Sequence, residues 1–391
     1  MDKTAFDLSP KQREIKEKAR AFGEKWAPLA AEIDVSDKAP REEMIKDHIE
    51  MGLAGITIPA KYGGQDLNCI EFALAIEEAS RGMKSWYAGD ILFGTTCTGP
   101  TVVMASDDEA LKNKYLPPLA RGEKSAAIAM TEPKYGSAVT DLETSAVLDG
   151  DHYILNGTKR FITGAPEYDL YATFVRFKGI PGSKGIGAVL VEKGAPGLTM
   201  EEGKQVLGGR GGPHGTLYFN DCRIPKQNLI LREGKFGKLM LAFNMERLYI
   251  ASLCLGLAEA SLDTAIDYSN KREQFGKPVN EFQSIYHLIA EMWTEIESAR
   301  YSVYMAALTA EEGKFPKPLE VSTAKYIAAN ISRDVSFKAM QILGGDGVVM
   351  DTSPQRCFRD AILSATTGGT MQVLKNVIAT LVLGKRFDQR K

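Results

Sequence analysis

Two carboxylates in this chain, Asp90 and Glu246, are of the residue type that can act as a general base. Asp90 belongs to the stretch 86–93, which is otherwise almost wholly apolar. A lone buried carboxylate costs free energy unless it is paired or used, and apolar surroundings raise its pKa toward the range of a general base. Its structural alternative is a hydrogen-bonded aspartate or one at a helix end. Glu246 directly precedes Arg247, and its structural interpretation is an acid paired with a neighbouring arginine such as that one.

The other reactive side chains indicate neither a metal site nor a disulfide framework. The four histidines are widely separated and lack metal-ligand spacing. The five cysteines are scattered, odd in number and never arranged as C-x-x-C. No strand-to-helix G-x-G-x-x-G or P-loop pattern occurs, which argues against a Rossmann-type nucleotide site. We therefore predict no metal, and the unpaired cysteines favour a reducing, cytoplasmic location.

Composition limits the class of protein and its partners. With 391 residues, the chain is too long for one ordinary core, so two or three packed units are expected. A content of 44% hydrophobic and 25% charged residues is typical of a soluble globular protein. The net charge of -2 gives no electrostatic reason to expect nucleic acid or an anionic membrane as partner. Neither a signal peptide nor an apolar run of about 20 residues is evident, so no membrane span is predicted.

The elements that must position these residues change in character along the chain. Ser9-Pro10-Lys11-Gln12 and Ser106-Asp107-Asp108-Glu109 each predict a capping box that opens a helix. Short β-rich runs follow from about residue 125, at 153–155, 170–177, 188–191 and 216–219, and Asp149-Gly150 and Asn156-Gly157 predict hairpin turns. Helical periodicity returns after about residue 234. There Ile285, Leu288, Ile289, Met292 and Ile296 form a buried stripe, and Gly344-Gly345 predicts a helix end. This order favours an α+β protein with units at 1–124, 125–234 and 235–391.

Several segments resemble the acyl-CoA dehydrogenase family, in the right order and over most of the chain. Met130-Thr131-Glu132-Pro133 with Gly136-Ser137 is similar to that family's flavin and thioester loop. The segment 157–163 looks like its second flavin strand, where an aromatic side chain shields the flavin ring. The segments 208–211, 217–219 and 221–225 resemble its closing β segment. Further matches lie at 272–276 with Gln283, at 341–345, at 359–360 and at 369–372.

The resemblance implies an N-terminal helical domain, a middle β domain and a C-terminal four-helix domain, assembled as a homotetramer with one FAD per subunit. The implied substrate is an acyl-CoA thioester, and the implied electron acceptor is electron-transferring flavoprotein. The residues implied to contact FAD are Met130, Thr131, Ser137, Phe161, Thr163, Arg272, Phe275, Gln283, Gln341, Gly344, Gly345, Thr370 and Gln372. Those implied to contact the substrate are Ser137, Asn244, Arg247, Gly368 and Gly369.

The chain departs from the family pattern at the position that matters most for catalysis. Gly368 stands where the family usually carries its catalytic glutamate, so the common base is missing. Lys134-Tyr135 replaces small residues of the flavin loop, and Ala138 stands where aspartate is general. Another carboxylate must therefore remove the proton if the protein is an enzyme.

The resemblance gives each candidate carboxylate a different reaction. Glu246 stands where isovaleryl- and long-chain-type members carry their base, which implies conventional α,β-dehydrogenation of a branched or cyclic acyl-CoA. Asp90 falls in the segment that forms the floor of the acyl pocket. Loss of the usual base together with that aspartate resembles the cyclohex-1-ene-1-carboxyl-CoA dehydrogenases of anaerobic aromatic and alicyclic acid degradation. We favour their 1,4-dehydrogenation over the Glu246 reaction. A non-catalytic flavin and acyl-CoA binding protein is the alternative from another class.

Overall fold

The computed structural model describes residues 7–310 and 315–387. Its N-terminal part is helical, and Ser9 caps the first helix with the predicted capping box. Nearly every side chain of α4 (Cys69–Met83) is buried, because this helix packs between the first helix and a long C-terminal helix. The helices are α1 (Pro10–Trp26), α2 (Ala30–Ser36), α3 (Arg41–Glu50), α4 (Cys69–Met83), α5 (Tyr87–Thr96), α6 (Thr98–Met104) and α7 (Glu109–Ala120).

The middle part is an eight-stranded mixed sheet. Its order is β6-β7-β3-β2-β4-β5-β8, and β1 pairs in parallel with β4. Asp149-Gly150 forms the β2–β3 hairpin turn as predicted, because Gly150 takes a positive φ of 57° there. The strands are β1 (Ala126–Ala129), β2 (Ser145–Asp149), β3 (His152–Thr163), β4 (Leu170–Phe177), β5 (Ile186–Glu192), β6 (Leu198–Glu202), β7 (His214–Pro225) and β8 (Leu229–Leu231).

The C-terminal part is again helical and contains three long and two shorter helices in its described residues. The predicted stripe lies on α9, where Met292 and Ile296 are buried but Ile285, Leu288 and Ile289 are only half-buried. Gly344 ends α10, as predicted, with a φ of 62°. The elements are α8 (Phe236–Lys271), β9 (Glu273–Gln274), β10 (Lys277–Pro278), α9 (Gln283–Leu308), α10 (Pro318–Leu343), α11 (Ser353–Ser364) and α12 (Met371–Leu383).

Two local predictions were wrong. Asp108, rather than Ser106, caps α7, because the Ser106 hydroxyl donates instead to the backbone oxygen of Ile230, at 2.9 Å. Asn156-Gly157 makes no turn but lies inside β3, where the pairing with β7 shifts register. A β-bulge accommodates an Asn-Gly pair without ending the strand.

The long helix α8 joins the two helical parts and carries one of the candidate bases. Arg300 of α9 donates to Glu77 of α4 and, at 2.6 Å, to Glu259 of α8. Breaking a buried ion pair typically costs about 3–5 kcal/mol, so this network fixes α8 against its neighbours. Among the described helices, α8 is long and apolar enough to cross a membrane by length and composition, but 83% of its apolar window is buried inside the fold.

Candidate active site

Asp90 lies on α5 with one carboxylate oxygen held by two donors. Its Oδ1 accepts from the Trp86 indole Nε1 at 3.0 Å and from the Tyr249 hydroxyl at 2.6 Å. Trp86 stands one turn earlier on the same chain segment, while Tyr249 reaches across from α8. No side chain of the described residues donates to Oδ2. The carboxylate is thus oriented through one oxygen, and the other is left to accept a proton.

Burial raises the pKa of Asp90 to about 7 from an ordinary value of 3.8. The hydrogen bonds from Tyr249 and Trp86 and the charge of Arg41 oppose this rise, whereas the charge of Asp360 adds to it. Only 8% of the residue surface is exposed. A carboxyl group with a pKa near neutrality can both accept and release a proton at physiological pH.

Glu246 faces the same region from α8, three residues before Tyr249. The Thr98 hydroxyl donates to its Oε2. Its pKa is raised to about 7, mainly by burial and also by the charge of Asp90, while the hydrogen bond from Thr98 opposes the rise. Arg247 does not pair with Glu246, because it donates instead to Asn244 Oδ1 at 3.1 Å and to Ser322 Oγ at 3.3 Å. The structural alternative of a Glu246–Arg247 pair was therefore wrong.

Gly368 lies in the loop between α11 and α12, directly beside Glu246. A Cβ at this position would be 3.3 Å from Glu246 Cγ and 2.5 Å from Ile250 Cδ1. The φ of Gly368 is 60°, a left-handed conformation that side-chain-bearing residues rarely adopt. The Glu246 side chain thus fills the space next to the place from which a residue-368 side chain would project.

Lys325 of α10 fixes this loop through its backbone. Its buried Nζ donates to the carbonyl oxygens of Thr367 and Gly369, each at 2.6 Å, on either side of Gly368. Burial lowers the pKa of Lys325 to about 8. The charge of Lys325 in turn lowers the pKa of Glu246.

The segment 208–212 packs over the start of α5 and is anchored by two aspartates. The backbone N–H of Gly211 donates to Asp37 Oδ1 at 2.8 Å. Asp360 of α11 accepts from the backbone N–H of Gly209 at 2.7 Å and from that of Trp86 at 2.9 Å. This one side chain joins α5, α11 and the glycine-rich segment next to Asp90.

The predicted flavin loop is held against the sheet by a buried ion pair. Lys159 of β3 donates to Glu132 Oε1 at 2.8 Å and to the backbone oxygen of Met130 at 3.1 Å. Glu132 also accepts from the backbone N–H of Glu143 at 2.6 Å and from that of Thr144 at 2.8 Å. The loop is therefore well defined despite its unusual Lys134-Tyr135, whose side chains bind Glu143 at the surface.

Phe161 protrudes from the bulge that interrupts β3 next to this loop. Its side chain is 62% exposed and its φ is 59°. The backbone N–H of Arg160 donates to Thr131 O at 2.8 Å, which brings the loop and the strand together. An exposed aromatic side chain on strained backbone is typical of a binding position rather than of a structural one. Thr163 ends the same strand.

The remaining predicted cofactor residues lie mainly at the surface of the C-terminal helices. Phe275 is 94% exposed at the tip of the β9–β10 hairpin. Thr370 caps α12 by accepting from the backbone N–H of Val373 at 3.2 Å. Asn244 and Arg247, by contrast, are buried on α8, and Asn244 donates to Pro316 O at 2.8 Å. The exposed members of the predicted cofactor set are Ser137, Phe161, Arg272, Phe275, Gln283, Gln341, Gly344, Gly345 and Gln372.

Three domains of one family match this chain in sequence order. The N-terminal domain of acyl-CoA dehydrogenase matches residues 9–123, the middle domain matches 127–222 and the C-terminal domain matches 236–383. The chain belongs to the acyl-CoA dehydrogenase family. It is accordingly an FAD-dependent oxidoreductase that acts on CH–CH bonds of acyl-CoA thioesters, as the sequence predicted.

Relatives and solved structures agree with this placement. The short-chain specific acyl-CoA dehydrogenase of Clostridium acetobutylicum is 37% identical over 96% of this chain and 98% of its own length. Butyryl-CoA dehydrogenase of Megasphaera elsdenii superposes with a TM-score of 0.91 at 33% identity, over 97% of this chain and all of that one. A chain from structural work on the electron transferring flavoprotein of Acidaminococcus fermentans gives a TM-score of 0.93 at 36% identity, over 98% and 100%.

Sequence reasoning missed the residues that orient the two carboxylates, Tyr249 and Thr98, and the role of Lys325 and Asp360 in holding the backbone beside them. Each of the four acts through a contact between elements far apart in sequence. Only Trp86 could have been found from spacing, because a residue four positions before Asp90 lies on the same face of a helix.

Proposed function

We propose that this enzyme catalyses 1,4-dehydrogenation of cyclohex-1-ene-1-carboxyl-CoA to a conjugated cyclohexadiene-carboxyl-CoA, with Asp90 as the base. The observation that carries the proposal is the Asp90 carboxylate itself, buried, held through Oδ1 by Tyr249 and Trp86, and brought to a pKa of about 7. Gly368, at the usual position of the base, supports it by leaving that position without a carboxylate.

The proposed chemistry follows from the unsaturated ring. Its α-carbon has no proton to lose, but conjugation extends the acidifying effect of the thioester carbonyl to the allylic C3. Asp90 accepts the C3 proton, and Tyr249 and Trp86 hold the carboxylate in place and stabilise its charge before that transfer. A bound FAD would supply the acceptor for the hydride from C6. Two new conjugated double bonds then replace the single one.

A second function is favoured by the contact between Glu246 and Gly368. The Glu246 side chain lies 3.3 Å from where a residue-368 Cβ would be, so it could serve the α-carbon from nearly the same place. Its pKa of about 7 also suits a base. In this alternative the substrate is a saturated branched or cyclic acyl-CoA, and the product is its α,β-unsaturated derivative.

Turnover of two variants with two substrates separates these functions. Asp90→Asn should lower turnover of cyclohex-1-ene-1-carboxyl-CoA by at least ~100-fold, the lower scale of positioned acid–base catalysis, with substrate binding largely kept. Glu246→Gln should be the milder change. The opposite ranking on folded, FAD-loaded protein, with conversion of cyclohexanecarboxyl-CoA by the Asp90 variant, would transfer the role to Glu246.

The exposed residues of the predicted cofactor set fit FAD at a surface that a neighbouring copy would cover. Phe161 and Thr163 would meet the ring, and Met130, Thr131 and Ser137 would line it. Arg272, Phe275 and Gln283 would reach the diphosphate of a second subunit, since arginine holds phosphate oxygens in a fixed geometry. On the other subunit Gln341, Gly344, Gly345, Thr370 and Gln372 would complete that site.

A homotetramer is supported by exposed apolar side chains on the C-terminal helices. Five of them recur along α9, namely Tyr286, Trp293, Tyr301, Met305 and Leu308. A row of this size on one helix is typical of an interface. We also propose electron-transferring flavoprotein as the electron acceptor, supported by the similarity to the Acidaminococcus fermentans chain. A cytoplasmic location is supported by the five cysteines, all free and buried.

A further inference from the structure

Gly212 lies beside Oδ2 of Asp90, the carboxylate oxygen to which no described side chain donates. A Cβ added to Gly212 would be 2.8 Å from Asp90 Oδ2, closer than real Cβ contacts come. Oδ2 is the oxygen that receives no hydrogen bond from the described side chains, because Tyr249 and Trp86 both donate to Oδ1. The space left by this glycine is therefore the space beside the proton-accepting atom.

Nothing else in the surroundings requires glycine at this position. The preceding Gly211 has a φ of 89° and needs glycine for its backbone, whereas Gly212 has no such φ. The next nearest atoms to the added Cβ are Gly209 O at 3.5 Å and Tyr87 Cδ2 at 3.6 Å, both ordinary contacts. The carboxylate of Asp90 is thus the one close obstacle to a side chain at residue 212.

We propose that Gly212 is a positioning residue for the reaction, because its missing side chain keeps Asp90 Oδ2 in place and open to the substrate proton. The inference rests on the proposed role of Asp90. Oδ1 is tied to α8 by Tyr249, and Gly212 is tied to α11 through the Gly209–Asp360 bond. The backbone near residue 212 is held by Asp360 and cannot easily move away. A methyl group at residue 212 must therefore displace the Asp90 carboxylate.

Gly212→Ala tests the proposal with the smallest possible side chain. Displacing a reacting atom by about 1 Å can cost on the order of 100-fold, so we expect kcat with cyclohex-1-ene-1-carboxyl-CoA to fall by about 10- to 100-fold. KM and FAD content should stay within about twofold of the wild-type values. The methyl group also removes water from Oδ2, so the acid limb of kcat/KM should move to higher pH. A purely structural role would not move that limb.

Gly237→Ala is the matched control, because a Cβ there meets nothing within 4 Å and the glycine lacks a positive φ. It should leave turnover unchanged. A second measurement does not depend on activity: Gly212→Ala should lower the thermal midpoint in the wild type but much less in an Asp90→Ala background, where the obstacle is gone. Equal loss in both backgrounds would overturn the contact on which the inference rests.

The experiments distinguish failure of the proposed Asp90 function from failure of the proposed Gly212 role. An active Asp90→Asn enzyme overturns the proposed function, and the role of Gly212 with it. An inactive Asp90→Asn enzyme with a fully active Gly212→Ala enzyme leaves the proposed function standing and overturns the inference about Gly212. Loss of activity in Gly212→Ala through lost FAD alone, with an unmoved acid limb, also counts against it.

Discussion

Asp90→Asn should make the protein more stable at alkaline pH while it removes activity. In the folded protein the Asp90 pKa is about 7, and the ordinary value is 3.8. An acid whose pKa is raised by folding stabilises the fold below its ordinary pKa and loses that contribution as the pH rises to the folded pKa. Stability due to Asp90 should therefore fall between about pH 4 and pH 7 and level off above.

The size of this effect follows from the pKa difference. About three pKa units, each worth about 1.4 kcal/mol, give a penalty of about 4 kcal/mol above pH 7, against about 1–2 kcal/mol at pH 5. An asparagine can keep the bonds to Tyr249 and Trp86, but its amide N–H needs a partner, at a cost of about 1 kcal/mol. The net gain of the variant should be roughly 3 kcal/mol at pH 8.5 and below 1 kcal/mol at pH 5.

Thermal midpoints of FAD-saturated wild type and variant, measured from pH 4 to pH 9, check this reasoning. The gain of the variant should grow with pH between about 4 and 7 and then stay constant. Glu246→Gln should show the same sign, since burial also raises the Glu246 pKa to about 7. A gain that is independent of pH, or that shrinks as the pH rises, would refute burial as the cause of the raised Asp90 pKa.

Three further substitutions test other parts of the site. Gly368→Glu should lower stability by about 1–3 kcal/mol, because the φ of 60° strains the new residue and Ile250 Cδ1 blocks it. Adding Ile250→Val should relieve the clash and introduce dehydrogenation of cyclohexanecarboxyl-CoA. No such activity in the folded, FAD-loaded double variant would contradict the placement of Gly368. Arg272→Ala should release FAD and shift the sedimentation of the oligomer, and full flavin retention would count against the diphosphate assignment. Lys325→Met should lower the thermal midpoint, because it leaves the carbonyl oxygens of Thr367 and Gly369 unpaired, at about 1–3 kcal/mol each. An unchanged midpoint would contradict the role of Lys325 in holding this loop.

The fold could be predicted where local chemistry determined it. The Ser9 capping box, the Asp149-Gly150 turn and the Gly344 helix end each depend on residues adjacent in the chain. The Ser106 cap failed because a contact 124 residues away engages its hydroxyl. Asn156-Gly157 failed because the neighbouring strand continues the pairing past it.

The candidate catalytic residues could be predicted from the sequence, but their contacts with each other and with their partners could not. Burial of Asp90 followed from its apolar neighbours, yet its partner Tyr249 lies 159 residues away. The suggested Glu246–Arg247 pair ignored that consecutive helix residues do not face each other. The absence of a Glu246–Arg247 pair could therefore have been predicted from the sequence. The space at Gly212 could not, because it depends on how α5, α8 and the segment 208–212 pack together.

The hydrogen bonds from Lys325 to the loop around Gly368 affect how such a site can evolve. Lys325 binds main-chain oxygens of Thr367 and Gly369 and makes no use of the residue between them. These two hydrogen bonds do not depend on the side chain of residue 368, although the φ of 60° and the nearby Ile250 Cδ1 disfavour one. A lineage could lose or regain a carboxylate there while the surrounding pocket stays assembled, and intermediates along that route would remain folded. The residue that removes the proton can therefore change between α5, α8 and the loop during evolution, provided that Ile250 makes room when residue 368 gains a side chain.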